Sequence, residues 1–461
     1  LLNADGSVRW YYHNADTVWS SPAFADVNGD QRLDMVIGTD ISANSFFQTP
    51  DGGFVMAFDT RPLQAATKRI EFQPSNKPIQ FPMLWRTTFD QAVFSSPAIG
   101  DIVPNSPGLE IAIGAGCYFP VGNANKRGKY VRILRASDGG VIQTLNAPAC
   151  VQSAPALGDI DDDGQLEIVA QVGKDSDTGY DGLSRVVAWD AENPNPKWSR
   201  VPYNPNSPPN DRGGNSRSIG SQQAPVIADL DGNGSLEVAA ANFWSVHVFN
   251  GRDGNPLTCQ NNACGGQTSL FAWGTLESTP AVGDINGDGK LDMVIGGIHV
   301  FNEGGNRGML YAWTDFAGRI NSPAGNKKAF SAPWPMFRGN PQHTGSVADP
   351  RIVSNIASIT SLTSTQRSRQ FQLSFTDAVG GSINWRARLE GGSGVIALGG
   401  TTSGASNQPL TVDINASRSA GVGDYSATLV VAADGLPELR IPISVKVAAN
   451  LTEVFLPVVA R

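Results

Sequence analysis

Carboxylates recur along this chain at a spacing suited to holding a hard cation. In Asp159–Glu167, reading D-I-D-D-D-G-Q-L-E, the side chains of Asp159, Asp161, Asp163 and Glu167 offer oxygens at loop positions one, three, five and nine, and the Gln165 carbonyl offers another at position seven. Calcium takes six to eight such oxygens, and a glycine, here Gly164, permits the sharp turn that wraps them. The pattern returns at Asp26, Asn28, Asp30, Arg32 and Asp34, at Asp229, Asp231, Asn233, Ser235 and Glu237, and at Asp284, Asn286, Asp288, Lys290 and Asp292, with the position-seven residue contributing its carbonyl each time. Four concordant loops predict about four structural Ca2+ sites. Asp159–Glu167 carries four ligand carboxylates against three in each of the others, so it is expected to bind most tightly. A fifth stretch, Asp101–Glu110, has Val103 in place of the second ligand and one extra residue, and is expected to hold no ion.

An EF-hand would place a bidentate glutamate at loop position twelve and flank the loop with helices. Here position twelve is Ile37, Ala170, Ala240 or Ile295, inside short apolar runs of β type such as L-D-M-V-I-G, so each loop joins two strands. The residues ahead of the loops repeat as well: Pro22, Pro97, Pro155, Pro225 and Pro280 each stand four residues before the first aspartate. Behind each loop come a continuous apolar strand, an alternating strand ending at Asp59, Arg135, Asp190, Asn250 or Asp315, and in several units a segment carrying a tryptophan, Trp85, Trp198 or Trp273. Units of about four strands, 55 to 75 residues apart, with an inner strand apolar on both faces, predict the blades of a β-propeller.

The motif resembles the FG-GAP and VCBS-type repeats of integrin α-subunit heads and of many secreted bacterial proteins. Ala156–Ile168 and Ala281–Met293 match its pattern most fully, and Ala23–Met35 and Val226–Val238 match it more loosely, over a region of about residues 1–345. The resemblance implies structural calcium at the blade edges, stabilising the hairpin between the first two strands of each blade. Leu1–Trp10 reads like the later half of a blade, giving five full repeats plus a partial one. Those residues are expected either to close the ring on the last blade or to belong to a longer polypeptide. Pro333–Gly345, P-W-P-M-F-R-G-N-P-Q-H-T-G, resembles the closing segment of bacterial propellers, in which Trp334 and Phe337 would pack as a final strand; a Pro/Gly-rich linker is the alternative.

From about Asp349 the composition becomes Ser/Thr/Val-rich and the aspartate loops stop. Strand-like runs at Arg369–Phe375, Ile383–Leu389, Leu410–Ile414, Tyr425–Val431 and Leu439–Val447 predict an immunoglobulin-like β-sandwich over 346–450, similar to BACON-type bacterial domains. Trp385 and Tyr425 are read as its core. Residues 451–461 add an apolar tail strand, either the last edge of the sandwich or a strand that pairs with a neighbouring subunit.

The 461 residues carry a net charge of −8 and no basic run, which argues against a nucleic-acid partner. No apolar stretch reaches the length of a transmembrane segment. The chain begins Leu1-Leu2-Asn3, consistent with a removed export signal. Four cysteines, Cys117, Cys150, Cys259 and Cys264, are expected to form two disulfides, 117 with 150 and 259 with 264. Disulfides and millimolar calcium together favour a secreted or cell-surface location. Three N-x-S/T sequons occur, at Asn233, Asn415 and Asn450, the first overlapping a calcium loop.

Catalytic constellations are sparse. The four histidines, His13, His247, His299 and His343, show no zinc spacing, no G-x-S-x-G elbow occurs, and His247 alternates with apolar residues as a core histidine would. Isolated carboxylates such as Asp181 and Glu303 and the long insertions Thr60–Pro82 and Pro202–Ser218 are the remaining places for a site. The expected function is therefore non-enzymatic: adhesion, binding of a glycan or protein ligand at the cell exterior, or self-association as a subunit of an extracellular assembly. The alternative is a propeller-type polysaccharide lyase or glycoside hydrolase, which needs acidic and basic side chains converging in a central funnel.

Overall fold

Short apolar strands punctuated by Asp-Gly turns cannot bury both faces alone, and in the computed structural model they stack as successive antiparallel sheets. Described here are all residues except 4, 31, 64–67, 73, 75–76, 105, 120–127, 174–183, 203–222, 243–244, 259–269, 273–274, 277, 302–304, 321, 341–342, 348–351, 355, 357, 365–367, 378–382, 393, 407, 419–420, 434–435 and 450–461. The chain divides into two units, 1–347 and 348–461. It is all-β, a β-propeller followed by a β-sandwich.

In the first unit, four sheets of four strands are laid down in chain order. Their innermost strands are Ala23–Ala25, Ala98–Gly100, Ala156–Gly158 and Val226–Ala228, and their second strands are Asp34–Ile41, Glu110–Gly114, Glu167–Val172 and Glu237–Asn242. The fifth sheet pairs Ala281–Gly283 with Asp292–Phe301 and then Gly305–Trp313. It differs in carrying Thr275–Leu276 on the far end of the same second strand, through Leu276 opposite Gly297. Second strands of the third and fourth sheets are buried along their whole length, as predicted for a strand covered on both faces.

Tryptophans fasten neighbouring sheets. The Trp85 indole donates to the Ala136 carbonyl at 2.7 Å and Trp198 to the Gly251 carbonyl at 2.7 Å, each reaching the turn that ends the third strand of the following sheet. Those turns admit the rings because Gly139 and Gly254 sit at φ of 72° and 68°, and a Cβ at either would stand within 3 Å of the indole.

Two expectations are corrected. Among the described residues Leu1–Trp10 makes no pairing with the last sheet: Leu2 bridges Val8, and Tyr11–His13 lies parallel to Arg69–Glu71 inside the Thr60–Pro82 insertion of the first blade. The closing segment, expected as a final strand or a Pro/Gly-rich linker, makes single bridges in place of a regular strand among the described residues. It runs along the inner edges, where Ile227 and Trp334 exchange backbone bonds of 2.8 and 3.2 Å, Val282 N–H donates to Pro335 O at 2.8 Å, Phe24 N–H to Thr344 O at 2.6 Å, and Ile99 N–H to Gly345 O at 2.8 Å. Each of these four residues is the middle one of its innermost strand, whose outward N–H otherwise faces the axis. At the third sheet the Pro333 ring stands 3.6 Å from where a Gly158 side chain would begin. Trp334 is 1% exposed.

The second unit packs a five-stranded sheet, in which Ile359–Ser364 runs parallel to Leu436–Ala448, with a three-stranded sheet and a short two-stranded one. All five predicted strand regions are present. Ile352–Ser354, Ile359–Ser364, Ile396–Gly399 and Ser403–Ala405 are additional. Trp385 is buried, packs edge-on to Phe375 at 5.3 Å and donates to Ala405 O, while Tyr425 is half-buried and donates to Gly421 O. The tail 451–461 lies outside the described residues.

Candidate functional site

All five inner hairpins close in one register. The residue before the first aspartate pairs with the last carboxylate of the loop, at position nine in the four acidic loops and position ten in Asp101–Glu110: Ala25 with Asp34, Gly100 with Glu110, Gly158 with Glu167, Ala228 with Glu237 and Gly283 with Asp292. That places a carboxylate at the root of each hairpin, buried in every case. One of its oxygens accepts the N–H of loop position two: Val27 (3.1 Å), Ile102 (2.9 Å), Ile160 (2.8 Å), Leu230 (2.8 Å) and Ile285 (3.0 Å). The position-one aspartate caps the turn from the other side, taking the N–H of position five in the four acidic loops, at Asp30, Asp163, Asn233 and Asp288. Position-five carboxylates accept the N–H of position seven, at Arg32, Gln165 and Lys290, through one oxygen.

Ligand atoms of Asp159, Asp161 and Glu167 lie within 4.8 Å of one another, as do those of Asp229, Asp231 and Glu237. In the first and fifth loops position three is Asn28 or Asn286, and among the described residues no such three-carboxylate cluster forms there. The fifth loop nonetheless turns a buried Asp292 Oδ1 inward without a hydrogen-bond partner. Burial pushes the Glu237 carboxyl up to about 8, opposed by the Ser322 hydroxyl and assisted by Asp231. Burial followed by Asp161 does the same for Glu167, to about 8, and burial raises Asp34 to about 7 against the Val27 N–H, with Asp59, Asp30 and Asp26 adding to it. These groups hold more negative charge than their surroundings solvate, which is the condition a divalent cation relieves. Hard oxygens in this number fit calcium. Bound there, calcium would neutralise the clustered carboxylates and tie the loop to its hairpin.

The neighbours of the loops were not foreseen. Arg61 pairs with the buried Asp59 at 2.5 Å beside the first loop, and Lys290 sends its ammonium to Asp315 at 3.2 Å beside the fifth. Asp59, Asp190 and Asp315 are the acids that end the third strand, a recurrence visible in sequence to which no role was given. At the third loop Lys197 reaches Asp161 at 2.5 Å and Asp190 at 2.7 Å, and Lys327 pairs with Asp159 and, at 3.2 Å, with Asp162. Over the fourth loop Ser322 Oγ donates to Glu237 Oε1 at 2.7 Å, the Asn233 amide donates to Ser322 and Asp231, and Phe330 N–H caps Asp229. Asn233 is thereby engaged by its own loop and by Ser322.

His247 is fully buried in the fourth sheet, and desolvation lowers it to about 3, so it stays neutral in the core as expected. Cys117 and Cys150 form a disulfide with Cα atoms 5.6 Å apart. Cys259, Cys264, Asp181, Glu303 and most of Pro202–Ser218 fall outside the described residues. No helix among the described residues is long and apolar enough to cross a membrane.

Residues 229–295 match the FG-GAP-like repeat family. No curated protein matches the sequence. Among solved structures the chain is similar to the exotype rhamnogalacturonan lyase YesX, at 15% identity and a TM-score of 0.37 over 67% of this chain, and it spans about half, 49%, of that lyase. It is also similar to the V. cholerae biofilm matrix protein Bap1, at 13% identity and a TM-score of 0.38 over 95% of this chain and 69% of that one. A further match is BamB from Moraxella catarrhalis, at 12% identity and a TM-score of 0.35 over 71% and 85%. The shared ground between this chain and the known families is thus an FG-GAP-like repeat at residues 229–295.

Proposed function

We propose that this chain is a secreted or cell-surface, non-enzymatic binding protein whose propeller is held by structural calcium in its acidic loops, and which engages a glycan or protein ligand or copies of itself. The observation that carries the non-enzymatic reading is the placement of Trp334, Pro335, Thr344 and Gly345, whose backbone bonds to Ile227, Val282, Phe24 and Ile99 follow the inner edges. A lyase or hydrolase of propeller type would open its substrate funnel there. The carboxylate cluster of Asp229, Asp231 and Glu237 supports the calcium reading, and the Cys117–Cys150 disulfide supports an exterior location. In the same reading, residues 346–450 form a BACON-like module.

The test has two arms. Calcium titration followed by calorimetry and thermal melting, with and without chelator, should show binding and a higher melting temperature in calcium. Glycan-array screening together with incubation on rhamnogalacturonan should give binding without release of unsaturated products; sustained product formation would sink the non-enzymatic assignment.

A further inference from the structure

The loops at residues 159–167 and 229–237 have the same register and the same buried glutamate, yet one strap of chain treats them oppositely. Residues 322–330 leave the fifth sheet and cross both loops before entering the axial segment. Over the fourth loop the strap offers neutral groups: the Ser322 hydroxyl to Glu237 at 2.7 Å, the Phe330 N–H to Asp229 at 2.9 Å, and backbone bonds from Gly325 and Lys327 to Asn233 and Gly234. At the third loop it delivers a charge. Lys327 Nζ lies on Asp159 and Asp162, Asn326 N–H donates to Asp162 at 3.2 Å, and from the blade itself Lys197 Nζ bridges Asp161 and Asp190. Both ammonium groups are largely covered, with side chains 28% and 19% exposed. Positions one and three of this loop are thus each bound to a cation that belongs to the protein.

We propose that Lys197 and Lys327 serve as the resident cations of the loop at residues 159–167, so that this loop takes no calcium while the loop at 229–237 does. This rests on the calcium reading above and reverses the ranking that a count of carboxylates suggests. A dication entering among Asp159, Asp161 and Glu167 would have to expel two ammonium groups, each already satisfying a carboxylate in a poorly solvated place, or accept their repulsion at close range. The fourth loop demands neither. Lys327 also acquires a mechanical role: it pins the strap, and with it the axial segment, to the third blade whatever the calcium level.

The full chain, crystallised from calcium-containing solution, should give anomalous density at the fourth loop and none at the third. The variant K197M/K327M should gain one ion by native mass spectrometry and should place it at the third loop. An ion at the third loop of the unmodified protein overturns the inference and leaves the calcium reading standing. Absence of calcium from every loop at millimolar concentration overturns both. If the double variant fails to fold, the density in the unmodified protein decides alone.

Discussion

The hairpins at residues 101–110 and 229–237 share a root and differ in everything the root supports. In both, a wholly buried glutamate accepts the N–H of loop position two. Only the second keeps acidic side chains at positions one and three in a cluster. The retained glutamate shows that the carboxylate clamp is a device of the hairpin in its own right, to which the proposed metal ligation would be added. The second blade, which lacks the ligands, is also the one followed by a disulfide, Cys117 leaving its inner strands and Cys150 leading into the third blade.

The comparison can be broken in several places. Removing calcium should have the largest effect: each site held at a hundredfold excess over its Kd contributes about 2.7 kcal/mol, so chelation is expected to lower Tm by on the order of 10 °C in a melting curve. Next, Glu110→Ala strips one buried and one half-buried backbone N–H group of their acceptor and should cost about 3 kcal/mol in denaturant unfolding, equally with calcium and with chelator. Glu237→Ala should cost more in calcium than in chelator; equal losses would dissolve the distinction between clamp and ligand. Cys117→Ser should cost about 2–4 kcal/mol, additively with chelation, because it unstaples a different blade.

His247 sharpens the contrast by reporting the core alone. Its folded pKa is depressed, so the unfolded chain takes up the proton first as acid is added. Stability is present in full above about pH 6.5 and falls by about 1.4 kcal/mol per pH unit as pH drops toward the folded value. His247→Gln should flatten that slope in urea titrations run at several pH values in saturating calcium. Smallest of all, Asp101→Asn should leave stability within about 0.5 kcal/mol and leave the calcium response unchanged.

The repeat was legible because its signals are local. Four ligands in nine residues, a proline four residues ahead and an apolar strand behind lie within one window, and the hairpins form where that window places them. The five principal sandwich strands were legible from alternation, whereas Ile396–Gly399 and Ser403–Ala405 are short and bounded by glycine, with too few residues to show a period. What decides the chemistry of the third loop was not legible, since Lys327 stands 168 residues from Asp159 and reads in sequence as an ordinary solvated lysine. The pairing of Tyr11–His13 with Arg69–Glu71 was missed for a similar reason: a parallel pair carries no turn to announce it.

The axial segment also sets a timetable. Phe24 and Ile99 are made early, but their partners Thr344, Gly345 and Val347 emerge from the ribosome only after all five sheets exist. Until then the inner edges stand open, and such edges are where strands of different chains find one another. Contacts this distant in sequence also close slowly. The last residues of the propeller are therefore the ones on which its solubility during synthesis depends, and a chain truncated shortly before residue 331 is expected to assemble its blades and then aggregate through their hubs.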